Sequence, residues 1–124
     1  MTTLLKSATI IDPSSQHHKQ IKDILIINGK VDKIANKIQN KPSYKLVELE
    51  NLHVSCGWFD TSVSLGEPGY EERETIQNGL SVASKSGFTS IALNPNTFPV
   101  IDSKSDIEFL INKASNSATS LYPI

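Results

Sequence analysis

Over the first fifty residues, apolar positions come in short bursts separated by turn-forming residues. Leu4 to Ile11 is an apolar, β-branched run that stops at Asp12-Pro13-Ser14-Ser15, where proline and short polar side chains favour a turn. Asp23 to Ile27 is a second run, followed by Asn28-Gly29. Both of those residues tolerate positive φ, so the dipeptide predicts a hairpin. Lys30 to Ile34 alternates polar and apolar, as a half-buried return strand does. A further strand is expected over Lys45 to Leu49, after the lysine- and asparagine-rich loop from Asn36 to Pro42.

From Val54 onward strands alternate with helices. A strand is expected within Val54 to Leu65, and a helix over Glu71 to Ser86 with Ile76, Leu80 and Ala83 on one face and Gly87 as its stop. Glu71-Glu72-Arg73-Glu74 would open that helix, where acids favour the positive end of the dipole. Thr89 to Leu93 is a short β-rich run expected to be buried on both faces. After a loop over Pro95 to Val100, a second helix starts near Asp102 or Ser103, both good N-caps. It carries Ile107, Leu110, Ile111 and Ala114 at helical spacing. Thr119 to Ile124 begins another strand. This order implies a parallel sheet with right-handed crossovers and a division into residues 1–53 and 54–124. Three parallel strands cannot close a barrel, and their edge leaves backbone groups unpaired. The expectation is therefore a fragment of a longer protein, or a partner that supplies the missing strands.

Composition narrows the classes of function. The 124 residues suit one modest domain, with 13 acids against 12 bases. That balance gives no reason to expect a nucleic acid or an anionic membrane as partner, and Arg73 is the one arginine. Cys56 is the one cysteine, so no intrachain disulfide forms, which fits a reducing cytoplasm. The polar-interrupted N-terminus has no apolar run near the ~18 residues that span a bilayer.

Candidate chemistry gathers in Gly57-Trp-Phe-Asp-Thr-Ser-Val-Ser-Leu-Gly-Glu-Pro-Gly69. On a regular strand Trp58, Asp60, Ser62 and Ser64 would share one face. Neither serine is flanked by histidine or set in a G-x-S-x-G elbow, so strand-end residues are favoured over nucleophiles. Asp60 reads as a strand-end hydrogen-bonding group ahead of a catalytic one. Asn96 reads equally as a ligand contact or a loop-shaping residue. His17, His18 and His53 read as solvated loop positions, and Cys56 as a small buried hydrophobe.

The same run resembles the first barrel strand of dihydroorotases in the amidohydrolase superfamily, written GFIDLHVHLREPG. Other stretches carry the resemblance along the chain. Lys6 to Pro13 is similar to KNGRVIDP, Asp23 to Lys30 to DVLIEDGKI, Glu67 to Glu71 to EPGYE and Glu74-Thr75 to the end of KET. Ala83 to Thr89 is similar to AAAGGFT, Pro95 to Asp102 to PNTNPVID and Tyr122 to Ile124 to the start of YPIGA. The resemblance covers the whole chain but only the first third or so of a family member. It implies an α/β fold: the first strands and helices of a (β/α)8 TIM-type barrel, cut short and preceded by part of a small β-sandwich.

It also implies what is missing. The family's two metal-binding histidines fall on Ser62 and Ser64, and its carboxylate-gripping arginine on Gly66. A serine hydroxyl stays protonated and competes poorly with water for a divalent ion, whereas a neutral imidazole is a good zinc ligand. Active relatives use zinc to lower the pKa of a bound water to about 7. For this chain the resemblance implies no metal site, no catalytic residue and no cofactor, with Asn96 left as a possible substrate contact. The function implied is a catalytically silent dihydroorotase-like protein of pyrimidine biosynthesis. Its partner would be aspartate carbamoyltransferase or a second copy of itself. The alternative is a metal-dependent cyclic-amide hydrolase in the full-length form.

Overall fold

The computed structural model describes all 124 residues, and the chain divides into two compact units, Met1–Cys56 and Gly57–Ile124. The sequence division fell three residues earlier. Val54 does not lead into the barrel strand: His53–Ser55 is a separate strand that pairs in parallel with Thr9–Ile11 of the first unit. The single strand expected within Val54 to Leu65 is thus two strands in two sheets.

The first unit is one mixed sheet, the portion of a β-sandwich that this chain supplies. β1 (Thr2–Ile11) pairs antiparallel with β2 (Ile21–Ile27), which pairs antiparallel with β3 (Lys30–Ala35). Asn28 and Gly29 take φ of 50° and 79°, as the hairpin reading required. The other edge of β1 takes β4 (Lys45–Glu48) and then β5 (His53–Ser55), both parallel to it. Ala8, Ile10 and Ile24 form its buried cluster, with Leu5, Ile26, Ile34, Leu52 and Val54 packed against them.

A polar pin holds the middle of this sheet. β1 is irregular between Leu5 and Ala8, and Ser7 has φ 52°. The buried Asp23 carboxylate accepts the Ser7 N–H at 3.0 Å, the Ile38 N–H at 2.8 Å and the Lys6 ammonium at 2.5 Å. Burial pushes the Asp23 carboxyl up, and the Lys6 ammonium and the two backbone donors outweigh it, so the net shift is downward. Lys6 also donates to the Ile38 carbonyl at 3.3 Å, which ties the loop after β3 to β1.

The second unit is a three-stranded parallel sheet in the order β6 (Trp58–Val63), β7 (Phe88–Leu93), β8 (Ser120–Pro123). Two helices alternate with these strands, α1 (Ile76–Lys85) and α2 (Lys104–Ala114). Leu65, Ile76, Leu80, Ile91, Leu93, Leu110 and Leu121 make its buried cluster. β7 is central, and Ile91, Ala92 and Leu93 are all buried, so its C-terminal half is covered on both faces.

Helix α1 is shorter than the sequence suggested. Thr75 is its N-cap and accepts the Asn78 N–H, so Glu71-Glu72-Arg73-Glu74 precede the helix and place no acid in its first turn. Those residues are held in turns, with the Gly66 N–H donating to the Glu74 carbonyl and the Tyr70 N–H to the Gly66 carbonyl. Helix α2 begins where expected: Ser103 caps it and forms a reciprocal capping box with Asp106. Of its expected apolar face, Leu110 is buried and Ala114 partly so, while Ile107 and Ile111 are exposed. The helix packs on β8 and α1, with Leu110 in the buried cluster and Ala114 against it.

Two outcomes follow for stability. Asp23 has a depressed folded-state pKa, so its contribution is complete above its unfolded value of about 3.9 and is lost as pH falls below that. Asp23→Asn should cost about 3 kcal/mol at neutral pH and flatten the acid limb of a stability-versus-pH curve measured by urea unfolding. Glu67→Ala, which strands the buried Ile76 N–H, should cost about 1–3 kcal/mol in the same assay at pH 7.

Candidate functional site

Strand order and strand ends position the site. β6 and β7 run parallel, and the residues at and just past their C-terminal ends are Ser62, Ser64 and Asn94. Open and closed parallel α/β sheets present their sites at that end, because the loops that follow the strands converge there.

The sequence expectation that Trp58, Asp60, Ser62 and Ser64 share a face does not survive. The β6–β7 register slips between Asp60 and Val63, where two residues of β6 stand against one of β7. A bulge of this kind reverses the alternation beyond it. Asp60 therefore lines the crevice against α1 together with Val63, Leu65, Gly79 and Val82. Ser62 and Ser64 lie on the other face. The Asp60 carboxylate reaches only as far as the Ser62 backbone, whose N–H it accepts at 3.1 Å. That is the strand-end hydrogen-bonding role read from the sequence.

On the face that carries the serines, four neutral side chains meet. Asn94 Nδ2 donates to Ser62 Oγ at 3.1 Å and approaches Ser64 Oγ at 3.4 Å. Asn96 Nδ2 donates to Ser64 Oγ at 2.8 Å. The structure thus joins three positions singled out in the sequence, Ser62, Ser64 and Asn96, and adds Asn94. Sequence reasoning missed Asn94, although its place directly after the last residue of a buried parallel strand was a usable signal. Ser62, Ser64 and Asn96 are exposed, and Asn94 is half-buried.

Gly66, where the resemblance read from the sequence implies an arginine, is buried. A Cβ there would overlap the Tyr70 carbonyl oxygen and press on that of Glu74. No longer side chain fits at Gly66 while the turn over Tyr70 to Glu74 keeps its place. Gly69 has φ 93°, and a Cβ there would overlap the Phe98 carbonyl, so the loops after β6 and β7 are packed directly on one another. The Phe98 N–H donates to the Pro68 carbonyl at 3.2 Å across the same contact.

Glu67 between these glycines is buried. One carboxylate oxygen accepts the Ile76 N–H at the start of α1 at 3.1 Å, and the other pairs with Lys113 of α2 at 2.7 Å. Glu71 accepts the Gly69 N–H at 2.9 Å, and that bond, with its own backbone N–H, holds its carboxyl below the usual range. Arg73 rests on the Tyr70 ring, 4.4 Å from its centroid, and is largely exposed. The string Glu67 to Glu71 is thus occupied with fastening the loop.

The donor set decides what the site can hold. Zinc takes thiolate, imidazole or carboxylate ligands, and the cluster offers two protonated hydroxyls and two amides whose nitrogens point at those hydroxyls. These residues do not fit a zinc ion. The remaining candidates lie elsewhere. His18 Nδ1 accepts the Asp12 N–H at 3.1 Å and braces its own loop, and His53 Nδ1 sits 2.6 Å from the Asn51 carbonyl. Cys56 is exposed, contrary to the buried position expected for it, because it follows the last residue of β5 where the chain leaves the sheet. No helix is long and apolar enough to cross a membrane.

Comparison with known proteins agrees with this architecture. The chain is 38% identical to a dihydroorotase of Syntrophus aciditrophicus over its full length, covering 29% of that relative. It is 39% identical to a dihydroorotase of Elusimicrobium minutum, with 94% of the chain and 27% of the relative covered. The chain therefore spans under a third of the length of these curated relatives. Among solved structures, L-hydantoinase from Arthrobacter aurescens superposes with a TM-score of 0.81 at 19% identity, over 99% of the chain and 27% of that protein. A D-hydantoinase superposes at 0.75 and 20% identity, over 99% of the chain and 26% of its own length. At such identities these two show the fold, the opening portion of an amidohydrolase barrel. A family model described as dihydro-orotase-like matches residues 53–122, more than half of the chain, and the chain accordingly belongs to the dihydroorotase-like family, as an N-terminal portion of it.

Proposed function

We propose that this chain is part of a catalytically silent dihydroorotase-like protein of pyrimidine biosynthesis that serves in the cytoplasm as a non-catalytic partner of aspartate carbamoyltransferase. The observation that carries the reading is the hydrogen-bonded cluster of Ser62, Ser64, Asn94 and Asn96 at the end of β6. Two of those positions are where the resemblance implies histidine ligands, and the serines there accept hydrogen bonds from Asn94 and Asn96. A metal-bound hydroxide is the nucleophile that amide hydrolysis of this type needs at neutral pH, and these residues cannot generate one. The closed turn over Gly66 supports the same reading, since it leaves no room for an arginine to grip a carboxylate. The scaffold is meanwhile intact: Glu67, Gly69 and Thr97 hold the loops, and the buried cluster beneath them is continuous.

A second reading, a metal-dependent cyclic-amide hydrolase in the full-length form, is favoured by the 33–39% identity to proteins named dihydroorotase. Asn96 would then contact the substrate with the amide oxygen and the N–H that Ser64 leaves free.

Metal analysis of the purified full-length protein separates the two. Silence predicts well under one equivalent of zinc and no dihydroorotate hydrolysis above background. One equivalent or more of bound metal together with turnover would establish the hydrolase. The partner is tested separately: the full-length protein should co-elute with aspartate carbamoyltransferase at micromolar concentration in size-exclusion chromatography. Independent elution would remove that partner.

A further inference from the structure

All four cluster members lie at the strand ends or in the loops that follow them, and the amide nitrogens of the two asparagines are turned on the hydroxyls of the two serines. The loop after β7 is anchored at two backbone points. The Asn94 N–H donates to the Val63 carbonyl at 2.8 Å, and the Phe98 N–H to the Pro68 carbonyl at 3.2 Å. Between them Thr97 closes on its own segment, its hydroxyl donating to the Pro99 carbonyl at 2.9 Å. The side chain of Asn96 is the link from the middle of this loop to β6, through Ser64 Oγ.

We propose that Ser62, Ser64, Asn94 and Asn96 act as a neutral clasp that fastens the 94–98 loop to the end of β6 without a metal ion. The inference does not depend on the partner proposed above. It rests on the mismatch between this donor set and zinc, together with the geometry.

A hydroxyl oxygen has two lone pairs, so Ser64 Oγ receives Asn96 at 2.8 Å with Asn94 3.4 Å away, while its own proton stays free. The bulge in β6 is what makes the arrangement possible. It turns both serines to the face on which Asn94 leaves β7 and sends Asp60 to the other. A carboxylate on the serine face would have competed for the amide protons and supplied the charge that attracts a cation. Without a charge on this face, the two amides are free to donate to the two hydroxyls. A linked set of this kind behaves as a unit, so loss of one member releases the others.

Amide hydrogen exchange in the intact chain, followed residue by residue by NMR, tests the clasp. Ser64→Ala and Asn96→Ala should each speed exchange of the Asn94 and Phe98 amides by about fivefold, the factor for one hydrogen bond of ordinary net strength. Exchange of the Ile91 amide, in the middle of β7, should not change. The double variant should exchange no faster than the faster single variant, and Ser64→Thr, which keeps the hydroxyl, should restore slow exchange. Unchanged exchange in the single variants would overturn the clasp, and so would a multiplicative double effect of about twenty-five-fold. Zinc added to 100-fold excess over protein should leave the exchange rates as they are. Slower exchange with a stoichiometric end point would show a metal site there and would also overturn the inference.

Discussion

The turn that leaves β6 sets the terms for the rest of the barrel portion. Two of its positions, Gly66 and Gly69, admit no Cβ, because backbone carbonyls of Tyr70 and Phe98 occupy that space. Between them the buried Glu67 carboxylate reaches the first N–H of α1 and the ammonium of Lys113 on α2. One acidic residue thus registers a strand end against two helices. An exposed ion pair contributes little, but this carboxylate is shielded and also satisfies a backbone donor that would otherwise be buried unpaired. If the turn moved, the start of α1, the seat of α2 and the loop after β7 would have to move together.

That constraint bears directly on the chemistry of the site. A residue with a long side chain cannot stand at Gly66 while the turn is closed, so the absence of a charged group there and the close packing of the loop go together. The serines a few residues earlier belong to the same pattern. They make the end of β6 uncharged, and the asparagines of the next loop donate hydrogen bonds to them. The buried cluster beneath this strand end is continuous, and the polar groups above it hold the loops.

The first unit follows a different logic. Its sheet is held by a buried carboxylate inside a β-strand irregularity, with Lys6, Ser7 and Ile38 gathered around Asp23. Nothing in the hydropathy of Asp23-Ile-Leu-Ile-Ile27 marks its first residue as buried, since an acid at the start of an apolar run reads as a strand boundary. Pairing of β1 with β4 and β5 was equally hidden. Parallel partners distant in the chain carry no local turn signal, whereas the Asn28-Gly29 hairpin announces itself in two residues.

Local physics was legible in the sequence. Strands were marked by β-branched runs, the hairpin by residues that tolerate positive φ, α2 by a serine cap, and the stop of α1 by Gly87. The family frame could be placed on Ser62, Ser64, Gly66 and Asn96 because the strings around them, from Glu67 to Glu71 and from Pro95 to Asp102, are distinctive. Tertiary contact decided the rest. A bulge that depends on the register with β7 reversed the face of Asp60, and a backbone packed over Gly66 held Glu71 to Glu74 out of the helix they would otherwise open. Asn94 entered the cluster only through the pairing of two strands some thirty residues apart. Short-range preferences are written in the residues themselves, but register and close approach are properties of two segments at once, and neither segment alone encodes them.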